Sequence, residues 1–153
     1  MKYIAHRGLF NGPNRELENS PDQIDQALVL GYDCEIDLWV VNNELYLGHD
    51  GPKYKITKEY LNNDKFWIHA KNLEALTWLR YSQRLHVYFW HESDKFTLTS
   101  NNYIWTNPGN ELGTNSIMVM PCHVDTTLEV TRNVKCYAIC SDYIIQIREM
   151  RCD

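Results

Sequence analysis

Between Cys34 and Val40 the apolar residues Cys34, Ile36, Leu38 and Val40 alternate with Glu35, Asp37 and Trp39. A strand here has one apolar face and sends two carboxylates to the other. Upstream, Tyr3 to Gly8 predicts a short strand that delivers His6 and Arg7 at its C-terminal tip, followed by a loop from Leu9 to Asn19. Ser20 then caps a helix: Pro21 suits the first helical position, Gln23 completes a capping box, and Ile24, Ala27 and Leu28 line one face before Gly31 ends it. Strand, helix and acidic strand form a βαβ unit, which favours a parallel sheet whose strand ends share one rim. On that rim His6, Glu35 and Asp37 can meet.

Asn42-Asn43 predicts a tight turn that folds Glu44 to Gly48 back onto Leu38 to Val41. A strict two-residue loop would set His49 opposite Ile36, on the wrong face for the acids, so an offset is expected at Gly48. Lys53 to Asn63 is polar and predicts a short helix beginning near Thr57. Phe66 to Ala70 reads as a third strand ending in His69 and Lys71, after which Asn72 caps a helix striped by Leu73, Leu76 and Leu79. His86 to Trp90 is a fourth strand. From His91 onward the long helical pattern stops. Phe96 to Thr99 and Tyr103 to Thr106 predict a second hairpin, Ser116 to Met120 and Lys135 to Cys140 two buried strands, Asp125 to Thr131 a weak helix, and Ser141 a cap for a closing helix over Asp142 to Met150.

The chain has 153 residues, a length suited to one domain spanning 1–153 with a core of its own. Its net charge of -5 supplies no general basic field for nucleic acid or an anionic membrane surface. Five cysteines without a CxxC pair read as reduced thiols. The absence of an apolar signal core or membrane-length run adds the expectation of a cytoplasmic protein.

Two acids on one buried face require a cation, and a divalent metal bound through oxygen is the common solution; on pattern alone, a solvated edge strand is the alternative. The ordered set Ile4-Ala-His-Arg-Gly8, Glu18-Asn19-Ser20, Gly31 with Glu35-Ile-Asp37, and His49-Asp50 resembles the glycerophosphodiester phosphodiesterase family, related to phosphatidylinositol-type phospholipases C. Lys71 and Ser141-Asp142-Tyr143 extend the likeness, which is dense over residues 1 to 75 and thin beyond. The resemblance implies an α/β fold, a compact (β/α)8 TIM-type barrel, with reduced or missing helices in its C-terminal half because the chain is short for such a barrel. A helix-poor side would offer a surface for a homo-oligomer, marked by Trp90, Tyr103 and Trp105. The other reading makes these aromatics core, and is preferred for Trp90.

The resemblance further implies a metal-dependent phosphodiesterase acting on a small glycerophosphodiester-like or polyol-phosphate substrate, with intramolecular transfer through a cyclic phosphate as one route. The second function considered is a non-catalytic barrel that binds a phosphorylated sugar or lipid headgroup. By the resemblance His6 and His49 supply base and acid, Arg7 and Lys71 hold phosphate, and Glu35 and Asp37 bind the metal. Asp50 is expected to orient His49, and Glu18 to brace the first loop. His69 stands where the family carries a third acidic ligand. The family's Mg²⁺ or Ca²⁺ then competes with Mn²⁺ or Zn²⁺, which imidazole suits better. In order of preference, His69 is a ligand with changed metal preference, the metal is held loosely, or the site is inactive. His91 and Glu92 are placed at the rim, where they contact substrate or supply the missing ligand.

Overall fold

The computed structural model describes residues 1–82 and 86–152. In chain order it contains β1 (Lys2–Ala5), α1 (Pro21–Val29), β2 (Asp33–Val41), β3 (Glu44–Leu47), β4 (Tyr54–Ile56), β5 (Phe66–Ala70), α2 (Leu73–Tyr81), β6 (Val87–Phe89), β7 (Phe96–Leu98), β8 (Ile104–Thr106), β9 (Ser116–Val119), β10 (Ala138–Ser141) and α3 (Ile144–Cys152). Seven strands run parallel in the order β6-β5-β2-β1-β10-β9-β8, with β7 antiparallel on β8. The hairpin β3–β4 branches from the C-terminal half of β2, where Leu38 pairs with Leu47 and Val41 with Glu44. Both turn residues, Asn42 and Asn43, adopt positive φ, as a two-residue hairpin loop demands.

The expected eightfold β/α barrel does not form. The protein is a mixed-sheet half-barrel with three α-helices among its described residues. The cause is local. Residues 107–115, between β8 and β9, are too few for a crossover helix with its loops, and residues 120–137 contain only two short 3₁₀ turns, Pro121–His123 and Glu129–Thr131. The expected helix over Asp125 to Thr131 therefore shrinks to its last turn. Among the described residues no ladder joins β6 to β7 or β8. Ser100 bridges that seam instead: its N–H donates to the Tyr88 carbonyl at 2.9 Å, and its hydroxyl accepts from the Tyr88 N–H at 3.0 Å. Phe89 and Trp105 stack across the seam with ring centroids 4.4 Å apart.

Strand alternation divides the interior into two cores. Ile24, Ala27, Cys34, Ile36, Leu38, Ile68, Ala75, Ile139 and Ile147 are buried where α1, α2 and α3 cover the sheet. Ile4, Trp67, Phe89, Trp105, Ile117, Ala138 and Cys140 form a second cluster, drawn from the strands themselves. The acids of β2 share this side. Asp33 accepts from Lys2 Nζ at 2.8 Å and Trp67 Nε1 at 3.1 Å, while Glu35 and Asp37 follow toward the strand's C-terminal end.

Several local expectations need correction. Thr57 begins no helix: it follows β4, and residues 57–65 form turns. Of the expected stripe on α2, Leu79 is buried and Leu76 packs against the core, but Leu73 is exposed and Ala75 is buried in its place. The Ser20 hydroxyl caps α1 through the Gln23 N–H at 3.3 Å, but the Gln23 side chain donates to the Gly8 carbonyl at 3.2 Å, which breaks the reciprocal half of the capping box. Ser141 ends β10, and the closing helix starts at Ile144. Trp105 is core and Tyr103 stacks on Tyr137 at 3.8 Å, whereas Trp90 is exposed, contrary to its core assignment. No helix among the described residues is long and apolar enough to cross a membrane.

Candidate active site

The C-terminal ends of β1, β2, β5 and β10 place His6, Glu35, Asp37, His69 and Asp142 together. His49, Arg7 and Lys71 complete the group around Asp37. Just past β1, Arg7 takes a left-handed conformation (φ 52°), and its N–H donates to Glu35 Oε2 at 3.0 Å. Such strain in a non-glycine residue persists only where its surroundings enforce it. The next residue needs to be glycine: at φ 77°, a Cβ on Gly8 would stand 2.8 Å from Ile24 Cγ1.

Asp37 is the electrostatic hub. Its Oδ2 accepts from Asn19 Nδ2 at 2.8 Å and lies 3.3 Å from His49 Nδ1 and 3.2 Å from Arg7 Nε. Its backbone N–H donates to Asn19 Oδ1 at 2.8 Å, so Asn19, fully buried, clamps the first loop onto β2. Oδ1 lies 3.2 Å from His69 Nδ1 and 3.5 Å from Lys71 Nζ but accepts no hydrogen bond. Burial opposes the Asp37 charge, yet the His49 imidazole and the Lys71 ammonium hold its pKa well below the ordinary carboxylate value. Glu35 moves the other way: burial and the neighbouring Asp37 charge push it up. The two acids are thereby driven apart, as like charges sharing one buried site are.

His69 supplies the third donor. Its Nε2 lies 2.9 Å from the His91 carbonyl, an acceptor, so that nitrogen carries the proton. In the neutral ring Nδ1 then presents a lone pair to Asp37 Oδ1 at 3.2 Å and Glu35 Oε1 at 3.8 Å. One donor atom from each of Glu35, Asp37 and His69 lies within 4.8 Å of the others. Ligation at about 2.0–2.2 Å from each donor would need the widest of these edges to close slightly around an ion. The carbonyl behind His69 is the kind of support that fixes the tautomer of a ligating histidine. The partnerless buried oxygen of Asp37 and the lone pair facing it fit a divalent cation.

The two remaining histidines differ in partners. His49 reaches the site because Gly48 bends the chain after β3: a Cβ there would meet the Gly51 carbonyl oxygen at 2.1 Å, and the Gly48 carbonyl accepts from Trp39 Nε1 at 2.7 Å. The expected offset therefore falls at Gly48. Gly48→Ala should lower stability by about 2 kcal/mol or more. Displacement of His49 should also reduce any turnover about 100-fold; thermal melts and initial rates read the two effects. Arg7 Nη2, which can only donate, lies 3.2 Å from His49 Nε2, so that nitrogen holds a lone pair and Nδ1–H faces Asp37. The role expected of Asp50 passes to Asp37, since Asp50 is 86% exposed and 3.7 Å from His49.

His6 Nδ1 is 2.8 Å from Asp142 Oδ1, and His6 Nε2 is 4.0 Å from Glu35 Oε2. Burial works against the His6 charge, but the Asp142 bond and the Glu35 charge prevail and raise its pKa. Glu18 braces Arg7, accepting from Nη1 at 2.8 Å. The Arg7 guanidinium is thus engaged by Glu18, His49 and Asp37, whereas Lys71 has one 3.5 Å contact. His91 joins through its carbonyl, while its ring contacts Thr97.

Sequence reasoning noted Asn19 and Asp142 without assigning either a task. Their signals were present: a polar residue before the Ser20 cap, and an acid at the end of a buried strand. No family model, curated protein or solved structure matches the chain.

Proposed function

We propose that the protein is a metal-dependent phosphodiesterase acting on a small glycerophosphodiester-like or polyol-phosphate diester. The observation that carries this reading is the Glu35–Asp37–His69 donor set flanked by two histidines that each face a carboxylate through Nδ1, with Nε2 of His6 nearest a carboxylate and Nε2 of His49 nearest a guanidinium. Cleavage of a phosphodiester requires neutralisation of phosphoryl charge, removal of a proton from the nucleophile and protonation of the departing alkoxide. A divalent cation held by Glu35, Asp37 and His69 would supply Lewis-acid neutralisation of a phosphoryl oxygen. Lys71 adds a positive charge beside it. Arg7, fixed by Glu18, shapes the site and carries positive charge to its edge.

His49, with its Nε2 lone pair, is the group suited to take a proton from water or a neighbouring substrate hydroxyl. His6, held through Nδ1 by Asp142, is suited to deliver a proton from Nε2 to the leaving oxygen. The partner is a small diester, not nucleic acid. The helix-poor side offers a surface for self-association at edge strand β7, where Phe96 and Leu98 are exposed.

Turnover of bis(p-nitrophenyl) phosphate with Mg²⁺, Mn²⁺, Ca²⁺ or Zn²⁺ tests the function. Activity should appear with at least one ion, favour Mn²⁺ or Zn²⁺ over Ca²⁺, vanish on chelation and fall about 1,000-fold in Glu35→Gln. Metal-independent rates, or a Glu35→Gln protein as active as the native one, would rule it out.

A further inference from the structure

A cleft of about 300 Å³ opens beside His49, lined by Arg15, Glu18, Asp50 and Lys53. Its lining comes from two segments, tied to each other by one bond, while a second bond closes the segment after β3 on itself. The Tyr54 hydroxyl donates to the Glu16 carbonyl at 3.0 Å, and the Lys53 N–H to the Leu47 carbonyl at 3.0 Å. The Lys53 ammonium lies 4.8 Å from the Tyr54 ring centroid, which keeps it beside the wall that carries Arg15.

The charges lining the cleft are not equivalent. Glu18 is neutralised by Arg7 at 2.8 Å. Asp50 projects into solvent, 86% exposed. Arg15 and Lys53 are exposed and make no ion pair among the described residues, in a chain whose net charge is -5. Two cations without an ion pair among the described residues therefore line a cleft that the candidate catalytic histidine also lines.

We propose that this cleft is an anion subsite, and that the half of the diester on the His49 side of phosphorus carries a second anionic group held by Arg15 and Lys53. This rests on the phosphodiesterase reading and narrows its substrate class: an alcohol bearing a further phosphate or carboxylate rather than a neutral polyol. The guanidinium can grip two oxygens at once, while the ammonium supplies a point charge.

Calorimetric titration of the Mn²⁺-supplemented protein with propyl phosphate and with propanediol bisphosphate tests the subsite. The bisphosphate should bind about tenfold more tightly at low salt, and the advantage should shrink as salt rises. In the Arg15→Gln/Lys53→Gln protein the two affinities should agree within about twofold. Equal affinities in the native protein, or an advantage that survives the double substitution, would overturn the subsite. Turnover of bis(p-nitrophenyl) phosphate separates the two failures. Metal-dependent turnover without a bisphosphate advantage removes the subsite alone. A bisphosphate advantage without turnover removes the phosphodiesterase reading and leaves the anion site.

Discussion

Asp37→Asn is expected to unfold at a lower urea concentration than the native protein, with a loss of about 3–5 kcal/mol. Asp37 meets Arg7, His49, His69 and Lys71 through two buried oxygens, and its depressed pKa records how strongly that company favours the charge. Asparagine preserves an oxygen for Asn19 Nδ2 but removes the anion. Arg7 and Lys71 then remain largely shielded from water with Glu35 as the nearest carboxylate of the donor set. The measurement is made in chelator, so that only the protein's own charges contribute. An unchanged or raised midpoint would mean that the acid is retained for chemistry at a cost to stability.

His6→Ala should reduce kcat/KM about 1,000-fold under the best metal, with little change in metal affinity, because the imidazole is not among the three donors. Asp142→Asn should cost less, on the order of tenfold to hundredfold. It preserves an acceptor for His6 Nδ1–H while giving up the charge that favours the imidazolium. A substrate with a good leaving group, such as p-nitrophenolate, needs little protonation. Both losses should therefore be smaller on it than on a simple alkyl diester. Equal losses on the two substrates would take the proton-donor role away from His6.

How much of this was legible depended on whether the information was local. Ser20-Pro21 announced α1, Asn42-Asn43 the β2–β3 turn, and Asn72 the start of α2, because each is a short-range hydrogen-bonding requirement. The need for a kink before His49 followed from strand parity, and Gly48 supplies it. The His6–Asp142 pair spans 136 positions and depends on β10 lying parallel beside β1, a tertiary fact that no local pattern encodes. Asn19 was hidden for a similar reason: its left-handed backbone and two bonds to Asp37 exist only once the first loop is packed. The barrel was overestimated because residue order on a rim says little about what covers the opposite side. With 107–115 too short for a crossover helix, the sheet curls but does not close by pairing. Three α-helices among the described residues and an aromatic seam replace the expected ring.

The central claim is that Glu35, Asp37 and His69 hold one divalent cation between His6 and His49. Crystals grown or soaked with Mn²⁺ and measured at the manganese absorption edge test it most directly. The account predicts a single strong anomalous peak about 2.0–2.3 Å from a Glu35 oxygen, an Asp37 oxygen and His69 Nδ1, lost in Asp37→Asn. An anomalous map with no peak at that position, in crystals that contain the ion elsewhere, would contradict it.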